Sequence, residues 1–131
     1  MVEPRAFEDD PSIADDERLF RRIPRTWVDW DEHGNASISS AAFKDEELSI
    51  NIESVMMRDR RPPVDAIRGY PGYGLAALTA GHARSLNQLV VREPIEQEPA
   101  HGVVFGKKKR GGIAGKLRDG ASWVIEPTRR E

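Results

Sequence analysis

Cysteine is absent from this sequence. That excludes disulfides, thiolate nucleophiles and the thiolate ligands of structural zinc, and it fits a reducing cytoplasm. Long apolar runs are missing too. No stretch approaches the roughly 18 residues that a membrane-spanning helix needs. The opening MVEPRAFEDDPSIADDE has no apolar core of the kind a secretory signal carries. A cytoplasmic protein without membrane contact is the expectation. A large net charge is also lacking, since 20 Lys and Arg against 22 Asp and Glu leave −2 over 131 residues. The chain as a whole therefore does not seek a polyanion, and any such role must be local. The three histidines, His33, His82 and His101, are far apart and none has a partner at helical i, i+4 spacing. No metal site and no cofactor is expected from such a set. At 38% hydrophobic residues the chain can bury one modest core.

What is present is a segregated charge pattern. Residues 1–17 carry Glu3, Glu8, Asp9, Asp10, Asp15, Asp16 and Glu17 against Arg5. Arg18, Arg21, Arg22 and Arg25 follow with no acid among residues 18–25. Lys107, Lys108, Lys109, Arg110, Lys116 and Arg118 form a second acid-free cluster. Residues 1–17 hold few large apolar side chains and read as an acidic mobile arm. The division expected is an arm over 1–17, one domain over 18–126 and a tail over 127–131. The bland account of the pattern is a solubilising tail beside a solvated face. The sharper one is an arm that screens the basic cluster until a polyanion displaces it.

Hydrophobic patterning predicts an α+β domain, a mainly antiparallel sheet with one or two short helices. RLFRRI, bounded by Pro24, reads as a short edge strand, and residues 24–37 as loop, with turn chemistry at 31–35. ELSINI alternates cleanly and is a half-buried strand. Residues 62–68 predict a short helix closed by Gly69. Strands are expected at 75–78, with a helix as the alternative, at 89–91 and 103–105, and at 123–125 as a final strand or extended tail, with 80–88 either hairpin or helical turn. Ile113 and Leu117, four apart, predict a helix near 112–118. Leu75, Leu78, Val90, Val104, Phe105 and Trp123 are the expected core.

GKKKRGGIAGKL, residues 106–117, is the most conspicuous chemical motif. It is not a P-loop. The glycine spacing is one residue short, and Leu117 stands where the magnesium-binding hydroxyl is required. Cations just before a helix N-terminus oppose the helix dipole, which an anion there would relieve. His101, at the mouth of the strand leading to the run, is either a general base or, as the better expectation, a structural hydrogen-bonding residue. Ser40 predicts a cap for a turn over 41–45, and Trp27 and Trp30 either stack on bases or pack.

The phrases RLFRRIP, ISSAAFKDEELSINIE, YGLAALTAGHARSL and PAHGVVFGKK together resemble a family of short stand-alone bacterial proteins known as uncharacterised sequences. That resemblance spans roughly residues 18–126 and implies no activity, but it places the acidic arm outside the shared domain. A fainter similarity is to ADP-ribosyltransferase-like and RES-type NAD-cleaving toxins, with Arg21 or Arg22 and Ser39-Ser40 echoing their arginine and serine segments. The acidic third residue of that pattern has no counterpart. The expected function is a non-catalytic accessory protein of a bacterial multi-protein system. It would engage a nucleic-acid backbone or an acidic protein surface through Lys107, Lys108, Lys109, Arg110, Lys116 and Arg118, and a larger protein partner is expected. The alternative is a nucleotide- or NAD-modifying enzyme using Arg21, Ser40 and His101.

Overall fold

A computed structural model describes residues 7–106 and 112–128. The domain is α+β. Its strands are β1 (Arg18–Ile23), β2 (Val28–Trp30), β3 (Ala36–Ile38), β4 (Glu47–Ile52), β5 (Gly74–Thr79), β6 (Leu89–Arg92), β7 (His101–Phe105) and β8 (Ser122–Ile125). Its helices are α1 (Glu53–Arg58), α2 (Ala80–Ser85) and α3 (Gly112–Asp119), with short 3-10 helices at Arg25–Trp27, Ser40–Phe43 and Pro63–Ile67. Six strands form one sheet in the order β6-β7-β4-β1-β5-β8, and β2 and β3 form a separate hairpin. Every pairing is antiparallel.

β1 is interior rather than the edge strand its arginines suggested, with β4 on one side and β5 on the other. Period-2 alternation puts Leu19, Arg21 and Ile23 on one face of the sheet and Phe20 and Arg22 on the other. Leu19, Phe20 and Ile23 are buried, with Ile50, Ile52, Leu75, Leu78, Val90 and Val104 from neighbouring strands. Phe105 and Trp123, both expected in the core, are only half-buried. Phe105 sits near a strand end and meets Phe7 at 4.7 Å between ring centroids. Trp123, on an edge strand, donates its indole N–H to the Ala36 carbonyl at 3.0 Å.

Residues 80–85 form a helix, not a hairpin. Thr79 caps it by accepting from the His82 amide, and Asn87, with φ of 63°, closes its end in the left-handed conformation that Asn tolerates. The stretch 24–37, expected as loop, holds most of the β2–β3 hairpin, around a turn in which the Asp31 carboxylate accepts from the His33 and Asn35 amides.

The acidic segment is packed from residue 7 onward, against the expectation of a mobile arm. Ile13 is 1% exposed and belongs to the core. The Asp10 amide donates to the Val90 carbonyl at 2.8 Å, and the Asp9 carboxylate accepts from the Val90 amide at 2.9 Å. This segment therefore covers the outer edge of β6, where unpaired backbone groups would otherwise face solvent. Arg84 pairs with Asp9 at 3.0 Å and Asp15 at 2.7 Å, and Arg92 with Asp10 at 3.2 Å. Glu17 caps the start of α1 through the Ser54 amide and hydroxyl. Asp9, Asp10 and Asp15 are thus engaged by arginines of the domain itself. The expected C-terminal tail also docks at its start, where Pro127 is buried and the Thr128 amide donates to Gly72.

Candidate functional site

A cleft opens where β1 and β4 part. The two strands pair at Leu19–Ile52 and Phe20–Asn51, whereas β1 continues along β5 as far as Ile23. Beyond Phe20 a side chain bridges the gap. Arg21 donates from Nε to the Ala42 carbonyl and from Nη1 to the Ser49 carbonyl, each at 3.0 Å. Its guanidinium takes the place of the next backbone bond of the ladder.

Burial pushes the Arg21 guanidinium down to about 10. Asp45 opposes the shift and Arg22 adds to it. A value of 10 still leaves Arg21 a cation at neutral pH. On the other face of the strand, Arg22 donates to the Ala66 carbonyl at 3.0 Å and lies 4.4 Å over the Tyr70 ring. That spacing is a cation–π stack. Tyr73 adjoins Tyr70 at 5.2 Å, and Trp27 stands 5.7 Å from the Arg21 guanidinium.

These groups enclose a cavity of about 220 Å³, with Phe20 and Asn51 in its lining. A second cavity of about 330 Å³ shares Arg22, Asn51, Ala66 and Tyr70 with it and extends to Arg61, Glu98 and His101. Asn51 belongs to both lobes. It is 4% exposed, and its Nδ2 has no hydrogen-bond partner among the described residues. A buried amide N–H left unpaired is costly.

Most of the other described arginines are paired with an acid. Arg18, Arg58, Arg61, Arg68, Arg84, Arg92 and Arg118 each have a carboxylate within 4 Å. Arg21, Arg22 and Arg25 bond only to carbonyl oxygens, Arg25 to that of Thr128 at 2.9 Å. Among the described residues no carboxylate lies within 4 Å of them, although Asp45 acts on Arg21 and Glu98 on Arg22 at longer range. The run RRIPR thus brings two arginines without a contacting carboxylate, Arg21 and Arg22, into one cleft.

The basic run Lys107, Lys108, Lys109 and Arg110 lies outside the described residues. Lys116 is exposed on α3. Arg118 follows it and pairs with Asp119 at 3.2 Å, so part of that cluster's charge is spent locally. The alternative trio is not brought together. Arg21 reaches the 3-10 helix that holds Ser40, but through the Ala42 carbonyl, and Ser40 lines neither lobe. Ser39 rather than Ser40 caps that helix, accepting from the Ala41 amide. His101 holds its Nδ1 2.8 Å from the Glu93 carbonyl, the structural bond favoured for it, while lining the second lobe. Trp27 faces the cleft, and Trp30 packs on the core from the hairpin.

Asn51, Tyr70 and Tyr73 were not singled out from the sequence. The signal for the tyrosines was the YPGY turn, where Gly72 has φ of 83° and would place a side chain on the Arg25 guanidinium. No group of three or more His, Cys, Asp or Glu among the described residues is arranged to hold a metal. No helix among them is long and apolar enough to cross a membrane. No family model matches the chain, and no curated protein or solved structure matches it either.

Proposed function

We propose that this chain is a non-catalytic binding protein for single-stranded nucleic acid, taken in the cleft between β1 and β4. The observation that carries the reading is the pair Arg21 and Arg22, with no carboxylate in contact among the described residues, in a cleft lined also by Trp27, Tyr70 and Tyr73. Arginine supplies charge for a phosphodiester, and exposed rings supply faces on which successive bases stack. Tyr70 is 39% exposed and lines both lobes. Double-stranded nucleic acid would present its phosphates but not its base faces to such a cleft. The lysines of residues 107–109 belong to the same reading as further backbone contacts. A nucleotide-modifying enzyme draws less support, because Ser40 lines neither lobe.

The test is fluorescence anisotropy with labelled single-stranded and duplex oligonucleotides at about 50 and about 200 mM salt. Single strands should bind more tightly than duplex, with affinity falling as salt rises. Tyr70→Ala should weaken binding by about 1–3 kcal/mol, the contribution of one stacked base. Absence of binding to any strand at the lower salt would refute the reading.

A further inference from the structure

We propose that the smaller lobe of the cleft is a base pocket, selective for a single-ring base that presents carbonyl oxygen, as uracil and thymine do. The inference rests on the nucleic-acid reading above and adds to it a seat for one base and a residue that reads it. Size comes first. A cavity of about 150 Å³ accommodates a benzene ring, so the lobe of about 220 Å³ has room for one pyrimidine. Its lining is suited to a flat ring, with Phe20, Trp27 and Tyr73 among its walls.

Polarity selects among such rings. Asn51, on the central strand β4, turns a buried amide N–H toward no protein acceptor among the described residues. Arg21 and Arg22, the charged groups of the same lining, are also donors only. Ser49, Tyr70 and Tyr73 add hydroxyls that both donate and accept, so the lobe is complemented by a ligand edge in which carbonyl acceptors flank a single donor. The O2 and O4 carbonyls of uracil and thymine, on either side of N3–H, are such an edge. Adenine presents an amino donor on its corresponding edge and needs more room. The phosphates on either side of a seated base would meet Arg22, which lines both lobes.

The experiment uses the full chain and three labelled strands of equal length: oligo(dT), oligo(dA), and oligo(dT) with alternate abasic sites. Oligo(dT) should bind at least about fivefold more tightly than the abasic strand, as stacking and one hydrogen bond require. Uridine monophosphate should displace it at lower concentration than adenosine monophosphate does. Asn51→Leu, similar in volume, should lower the oligo(dT) affinity and erase the preference over oligo(dA). The wild-type comparisons decide the matter even if that variant misfolds. Equal binding of oligo(dT) and oligo(dA) would leave the nucleic-acid reading standing and overturn the base pocket. A folded Asn51→Leu protein with its preference intact would also overturn it, since the base is then read elsewhere. If no strand binds, both readings fall.

Discussion

Replacing Ile13 with alanine tests whether the acidic N-terminal segment is part of the folded domain. The side chain is 1% exposed and packs in the main core, although its segment contributes no strand to the sheet. Ile→Ala removes three carbons, about 2.4 kcal/mol of transfer free energy at about 0.8 per buried methylene. A cavity term adds to this where the surroundings cannot collapse. Around Ile13 the backbone is pinned to β6 at Asp10 and tied to Ala14 through the Glu17 amide, so collapse is restricted. The expected loss is about 2.5–4 kcal/mol. Urea unfolding followed by tryptophan fluorescence reads it as a lower midpoint at unchanged slope. Asp15→Ala supplies the contrast. Its carboxylate pairs with Arg84 but is 78% exposed, so the change should cost less than about 1 kcal/mol. The apolar anchor, not the ion pairs, would then hold the segment in place. An Ile13→Ala loss below about 1 kcal/mol would show the reasoning to be wrong, and a chain starting at Arg18 would then fold nearly as well as the whole.

Three further outcomes are expected. Arg21→Lys keeps the charge but cannot reach both the Ala42 and Ser49 carbonyls, so urea midpoints should register a loss of about 1–3 kcal/mol. Glu98 makes two hydrogen bonds to Arg61, which hold its carboxyl below the ordinary glutamate value of about 4.5. Its contribution is complete above that value and is lost as the pH falls through the lowered one, so Glu98→Gln should flatten the acid limb of stability between pH 5 and 3, roughly the range where carboxylates protonate. Gly74→Ala places a methyl on Trp123 and Pro127, and thermal melts should show about 1–3 kcal/mol of overpacking. A melt unchanged from wild type would mean that β8 and the C-terminal residues are not seated there.

The sheet was legible wherever apolar residues alternate or run together. ELSINI, residues 75–78, 89–91 and 103–105 all fall within strands. β1 was legible as a strand but not as an interior one, because arginine in a central strand is tolerated only with carbonyls to receive it. Those carbonyls, Ala42 and Ser49, lie 21 and 28 residues away. The same distance hid α1, whose cap is the carboxylate of Glu17. The arm was misread for a related reason. One buried isoleucine and a set of acids look like disorder until Arg84 and Arg92 are brought beside them. Of the cleft, the sequence displayed the cations at 21–25 and Trp27, but not Asn51, which sits unremarkably among the polar positions of an alternating strand.

The parting of β1 from β4 has a mechanical consequence. It divides the sheet into two three-stranded leaves, β6-β7-β4 and β1-β5-β8, joined directly by two residue pairs and by one arginine. Bending stiffness across a sheet comes from its ladder, so this seam is where the leaves can rock against each other. A ligand lodged in the seam, touching Arg22 on one leaf and Asn51 on the other, would act as a splint. Amide hydrogen exchange at residues 21–23 and 48–50 would slow on binding, while exchange within each leaf stayed as it was.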